Sequence, residues 1–206
     1  MSSMSRNIRV AVLCEFSGTV RDAFRRRGFD AVSCDLLETE APGPHIVGDC
    51  RDHDWSDYDL VVAHPPCTYL CNSGVRWLWN GDKAERQRWL SMLDAVEFFE
   101  WCRQQGRANA TENPIMHGYA AVRVGKPTQI VQPWQYGHGE TKATGLWLRG
   151  LPKLAPTQIV EGREARVHRA PPSPDRWKVR SMTSPGIADA MAQQWGDALT
   201  AKEVVA

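Results

Sequence analysis

Two short stretches, far apart in the chain, hold the residues best suited to chemistry. The first is Leu60-Val-Val-Ala-His-Pro-Pro-Cys67. Its apolar run, Leu60 to Ala63, is bounded by a polar cluster and a Pro-Pro pair, which predicts a buried strand that stops abruptly. Cys67 then stands just past that strand's carboxyl end. In an open parallel sheet ligands bind outside this edge, and two prolines stiffen the turn there. A thiol so placed is a candidate nucleophile, although a free cysteine is often only a small buried hydrophobe. The second stretch, Ala108-Asn-Ala-Thr-Glu-Asn-Pro114, predicts another strand that ends in Glu112 and Asn113. A carboxyl group at that edge can be tuned toward neutrality by burial and serve as an acid. Without Cys67 as a neighbour it would be an ordinary solvated acid.

The elements that must position these groups can be read in order. Ile8 to Cys14 is rich in Val and Ile, as a strand covered on both faces should be. The turn Glu15-Phe-Ser-Gly18 follows, then a helix from Thr19 to Gly28 with Val20, Ala23 and Phe24 at helical spacing. A second strand, Phe29 to Leu36, carries Asp35 near its end. Strand, glycine turn, helix, strand and acid form half of a nucleotide-binding unit, with the acid near the ~20-residue spacing that reaches ribose hydroxyls. The glycine signal is thin, since Gly18 alone stands where a full fingerprint has three. His45-Ile-Val-Gly-Asp49 is a short third strand. Thr68 to Asp82 reads as a mobile flap over the cleft whose Tyr69, Trp77 and Trp79, with Arg76 among them, are costly to expose unless they meet a base, a partner or the core when the loop closes. A long amphipathic helix spans Ala84 to Gln105, with Trp89, Met92, Leu93, Val96 and Phe99 as its core stripe. After Pro114 the chain is irregular until a loop enters a strand within 132–148. Residues 151–179 show no periodicity, and a last helix runs from Pro185 to about Leu199 with Ile187, Ala190, Met191 and Trp195 inward.

Composition bounds the rest. A chain of 206 residues, 42% hydrophobic and 24% charged, is an ordinary globular protein, read here as one catalytic domain over 1–206. Its core would comprise 7–150 and 181–200, with 151–180 a short basic insertion. No apolar run nears the ~20 residues that cross a bilayer, and the first residues lack a signal peptide's apolar stretch, so the expected location is the cytoplasm. Six cysteines suit a reducing compartment, and no second Cys/His pair at finger-like spacing accompanies Cys67, Cys71 and His64 to make a metal site. The net charge of +1 identifies no acidic partner, but 163–180 holds six Arg/Lys against two acids. That run suits phosphates or a solvated surface equally.

In their order and spacing these pieces resemble the DNA cytosine-5 methyltransferases over about residues 8 to 196. Phe16-Ser17-Gly18 is similar to the family's opening turn, Asp35 with Leu36 to the ribose-binding acid, and Asp49 with Cys50 to the Gly-Asp at the adenine amine. Pro65-Pro66-Cys67 looks like the Pro-Cys that carries the nucleophile, and Glu112-Asn113 like the Glu-Asn pair. Tyr136-Gly137 followed by Glu140-x-Lys142-x-Thr144 falls where the family has Tyr-Gly and then Gln-x-Arg-x-Arg. The segment Thr183-Ser184 onward resembles the closing segment of the cofactor pocket.

The resemblance implies a class I, Rossmann-like, doubly wound and mostly parallel α/β sheet, S-adenosylmethionine as cofactor, and DNA as partner with its target cytosine flipped out. It implies Cys67 as nucleophile, Glu112 protonated against cytosine N3, and Asn113, Pro66 and Lys142 in support. Tyr69, Arg76, Trp77, Thr144 and the basic Arg163, Arg166 and Arg169 would meet the substrate. This chain departs from the family at Val20, where a second glycine is expected, and at Lys142 and Thr144, where two arginines are. Only about 30 residues (151–180) stand in place of a target-recognition region. A compact, phage-like enzyme of this kind reads little sequence, borrows a partner protein that reads it, or acts on a free nucleotide or single strand. The same chemistry with another one-carbon donor, or an idle nucleotide-binding module, would carry the same motifs.

Overall fold

A computed structural model describes residues 7–169, 173–174 and 176–205. Strands β1 (Arg9–Leu13), β2 (Asp30–Asp35), β3 (His45–Val47) and β4 (Leu60–Ala63) are joined in one sheet with β7 (Ala108–Pro114), β8 (Gln129–Val131) and β9 (Thr144–Arg149). Between β4 and β7 lie the helical turn α2 (Asn72–Val75), the two-residue strands β5 (Trp79–Asn80) and β6 (Lys83–Ala84), and helix α3 (Arg86–Gln104). Helices α1 (Thr19–Arg26), α4 (Gly118–Val124), α5 (Arg166–Arg169), α6 (Arg176–Ser181) and α7 (Pro185–Val205) complete the chain.

The sheet order is β3-β2-β1-β4-β7-β9-β8. The first five strands are parallel, β9 runs against β7, and β8 runs against β9. This is a mixed α/β fold around a mostly parallel seven-stranded sheet. Its two faces are legible in β1 and β4, because alternate residues of a strand point to opposite sides. Val10, Val12, Leu60 and Val62 join the cluster that holds Val20, Phe24, Ile187, Met191 and Trp195 of α1 and α7. Ala11, Leu13, Val61 and Ala63 meet Trp55 and Cys102 on the other face, where α3 packs. Strands with no polar face cannot sit at a water-exposed surface, so helices must cover both sides.

The chain lays down β1, β2 and β3 in one direction across the sheet, then returns to place β4 on the far side of β1. The reversal opens a crevice at the carboxyl ends of β1 and β4, where open α/β sheets bind ligands.

Five expectations need correction. Residues 68–82, read as a mobile flap, hold a helical turn and half of the β5–β6 ribbon. One of their two indoles leans on α3, with Trp79 at 5.8 Å from Trp89, while Trp77 is exposed. Leu93, placed in the core stripe of α3, is exposed, whereas Met92 and Phe99 are buried. The irregular stretch after Pro114 contains α4 and β8, and the aperiodic stretch 151–179 contains α5 and most of α6. The last helix continues to Val205, beyond the expected Leu199. Among the described residues no helix is long and apolar enough to cross a membrane.

Candidate active site

Strand β1 ends in Leu13, and Cys14 then takes a left-handed backbone conformation (φ 59°) that swings the following residues across the strand tips. Glu15, directly after it, is buried and accepts from the backbone N–H groups of Val20 (2.6 Å) and Arg21 (3.1 Å), which pins the start of α1. Gly18 has φ 71°, and a Cβ there would come within 2.5 Å of the buried Arg21 guanidinium, so the turn requires glycine. Beside it, β4 ends in Ala63 and the backbone N–H of His64 still donates to the Leu13 carbonyl (2.9 Å). The prolines then carry the chain out of the sheet to Cys67.

A cavity of about 80 Å³ lies between these strand ends. One wall is Cys14 to Ser17, a second is His64 to Cys67, and a third is Glu112 and Pro114. Lys142 and the segment Arg180 to Thr183 close it. Cys67 and Glu112, 45 positions apart in sequence, therefore share one cavity. Asn113, behind them, donates from Nδ2 to the Pro65 carbonyl (3.1 Å) and ties the two strand ends together.

The ionisable groups are coupled. His64 Nδ1 lies 3.1 Å from Glu112 Oε1, with side-chain exposures of 8% and 11%. Burial alone would push the Glu112 pKa up, but the His64 cation, its contact, and Lys142 reverse that and hold the carboxyl below its usual range. Burial likewise pushes the His64 imidazole down, and Glu112 together with Glu15 brings it above its ordinary value. Against the expectation of a neutral Glu112, these directions favour a carboxylate beside an imidazolium. The signal was available, since an ionisable His64 interrupts an otherwise apolar approach to the Pro-Pro turn.

Cys67 is coupled to a second thiol. The Leu70 and Cys71 N–H groups both donate to the Cys67 carbonyl at 3.0 Å, and this tight turn brings the Cys71 thiol against Cys67. The contact between the thiols and burial push Cys67 well above its ordinary value. The same contact lowers Cys71 to about 5, aided by Ser73, whose Oγ is 3.0 Å from Cys71 Sγ. The opposite shifts favour Cys71 as the thiolate of the pair and Cys67, which lines the cavity, as its S–H donor.

Of the remaining sequence-derived candidates, Phe16, Ser17, Pro65, Pro66, Lys142 and Thr183 line the cavity, and Ser184 follows the last of them. Lys142 Nζ donates to the Met182 carbonyl (2.7 Å), which fixes the closing segment. Asp35, Leu36, Asp49 and Cys50 lie along the same carboxyl edge, at the ends of β2 and β3, but outside the cavity. Asp35 Oδ1 accepts from the Leu37 N–H (3.0 Å), and Asp49 is paired with Arg51 (2.5 Å), which holds it near 2. The expected substrate contacts are not brought to the cavity. Tyr69 lies under Arg88, Arg76 rests on an exposed Trp77, and Thr144 is buried at the start of β9. Arg163 stacks on Trp134, Arg166 pairs with Glu140 (2.7 Å), and Arg169 is exposed on α5. Arg180, which was not among the expected substrate contacts, lines the cavity. No protein-family model matches this chain, and no curated protein does.

Proposed function

We propose that this protein is a compact S-adenosylmethionine-dependent methyltransferase of the class I type, acting on C5 of cytosine in DNA. The observation that carries the reading is the shared cavity: a thiol with a built-in proton acceptor and a buried carboxylate with a built-in proton source, both at the sheet's switch point. C5 of a pyrimidine is a weak nucleophile until a thiolate adds to C6, and the ring then needs a proton at N3 to hold the charge it gains. Cys67 supplies the sulfur, and Cys71 takes its proton as the S–C6 bond forms. Glu112 faces N3, while Asn113 keeps the Pro65 turn in register with it. A cytosine stacked in a duplex cannot enter so small a space, so the base must be flipped.

The carboxyl edge suits the cofactor's chemistry. Asp35 offers a half-buried carboxylate to ribose hydroxyls, and Leu36, which is 72% exposed, offers apolar surface to a base. Phe16, Ser17, Gly18, Asp35, Leu36, Asp49, Cys50, Pro65, Thr183 and Ser184 would hold it. When bound, S-adenosylmethionine supplies the methyl group for C5. The protein's own part is to activate C5 and to keep water from the adduct.

A second reading is favoured by the resting charge of Glu112. A carboxylate accepts a hydrogen bond from N3–H of uracil, whereas N3 of cytosine needs a donor. Trapping separates the two. Oligonucleotides with 5-fluorocytosine or 5-fluorouracil are incubated with the protein and S-adenosylmethionine, and the adduct is mapped by mass spectrometry. A Cys67 adduct with fluorocytosine supports the leading reading, and one confined to fluorouracil supports the second. Failure of both, in DNA and as free nucleotides, would leave a nucleotide-binding module.

A further inference from the structure

His64 closes β4 one residue before the Pro-Pro turn, so its ring enters the cavity beside the nucleophile. It is surrounded from several elements. Glu15 faces it from the turn after β1, Glu112 from β7, and Lys142 from the stretch before β9. Cys67 and Arg180 line the same space, and the charge of His64 reaches Asp35 farther along the edge. Glu112 and Glu15 favour a cationic ring, against burial and Lys142. Both ring nitrogens are buried, and neither makes an aligned hydrogen bond among the described residues, despite the 3.1 Å approach to Glu112. Buried polar atoms normally find partners, so a ring left this way is one whose hydrogen bond completes only when a ligand arrives.

We propose that His64 is a positioning residue that stores the proton Glu112 delivers to the pyrimidine N3, an inference that rests on the cytosine reading above. As the Cys67 sulfur bonds to C6, the C5–C6 π pair shifts to C4–C5 and the N3–C4 π pair moves onto N3. His64 Nδ1–H passes its proton to Glu112, and the carboxylic acid so formed delivers that same proton to N3. The imidazole ends neutral, Glu112 remains a carboxylate, and the ring is an enamine. After C5 has reacted and lost its proton to water, expulsion of Cys67 returns the N3 proton through Glu112 to His64. The device reconciles an ionised resting Glu112 with a base that needs a donor.

The sign of the pH dependence follows. The His64 proton is present below its raised pKa and is lost as pH rises through it, so ring activation should fall by about tenfold per pH unit above that point. In His64→Asn the proton must sit on Glu112 itself, and the same alkaline fall should begin at lower pH. Two measurements test this. First, NMR of ring-labelled histidine in the free protein should find His64 cationic at about pH 7, and neutral there in Glu112→Gln. A neutral His64 in the unmodified protein overturns the proposal whatever the substrate. Second, without methyl donor, the adduct's C5 exchanges its hydrogen with deuterated solvent, which reads ring activation directly. His64→Asn should lose about 10²-fold at about pH 8, the size of one proton-transfer contribution, and recover in acid. An unchanged alkaline limb overturns the inference and leaves the cytosine reading standing. Absence of exchange in the unmodified protein removes the cytosine reading itself, while the NMR result still reports the stored proton.

Discussion

The two halves of the carboxyl edge are built differently. Where β4 and β7 end, every ionisable group is buried against another that sets its charge: Cys67 against Cys71, and Glu112 against His64. Where β2 and β3 end, the groups stand near solvent: Asp35 is half-buried, Asp49 pairs with a surface Arg51, and Leu36 is left bare. Covalent chemistry needs protonation states fixed before the substrate arrives, which only a desolvated, coupled site can do. A nucleoside shelf needs shape and a few acceptors, and it can stay open until filled.

If the halves are independent, damage to one should spare the other. The largest effect is expected from Cys67→Ala. Methyl incorporation into DNA should fall by about 10⁴-fold or more, as when a covalent nucleophile is removed, with S-adenosylmethionine affinity by calorimetry within about twofold. A joint collapse would show that the halves form one unit. Next is Cys71→Ala. In the unmodified protein Cys71, lowered to about 5, stands ready to take the Cys67 proton, so the rate of Cys67 alkylation by iodoacetamide should be flat through neutral pH. Without Cys71, the buried thiol must ionise alone. Alkylation should then climb about tenfold per pH unit through neutrality, and turnover at about pH 7 should drop some 10- to 100-fold. An unchanged alkylation profile would remove Cys71 from the mechanism.

The same contrast explains what could be read from the sequence. The strands of the first half, the cysteine, and the Glu-Asn pair were legible because each rests on a local signal: β-rich apolar runs, a Pro-Pro stop, polar residues at a strand end. The wiring was not. His64 and Cys71 stood in plain view beside Cys67, but spacing does not say which charges meet, and burial alone gives Glu112 the wrong sign until the His64 neighbour is known. The 68–82 segment misled for a related reason. Its indoles looked costly to expose, but part of that cost is met by α3 and α4, through Trp79 on Trp89 and Trp89 on Tyr119. Helix α6 is six residues of mixed type, too short for periodicity to declare it.

On the open half, Asp35→Ala should weaken S-adenosylmethionine about tenfold, the range of one charge-assisted hydrogen bond, with trapping at saturating cofactor little changed. Burial pushes the Asp35 carboxyl above its ordinary value. Affinity should therefore begin to decline on acidification at a higher pH than for a solvent-exposed aspartate, and the decline should be absent in the variant. An affinity that is flat with pH in the unmodified protein would take Asp35 out of the pocket.

The smallest effect concerns the shelf's cover. Trp177 meets Phe16 with ring centroids 5.6 Å apart and planes tilted by 55°, and Lys178 holds that helix to Glu40 at 2.9 Å. A planar base between two aromatic rings needs about 3.5 Å on each side, with the rings parallel. The present gap is too narrow and too skewed for a base, so Trp177 occupies Phe16's free face and, on the proposed function, would have to yield it to the cofactor's adenine. An aromatic pair of this kind is worth about 0.5–1.5 kcal/mol. Trp177→Ala should therefore tighten S-adenosylmethionine by about two- to tenfold in calorimetry. A weaker cofactor would mean that the indole is a wall of the pocket rather than its cover, and that the open half closes by turning α6 instead of displacing it.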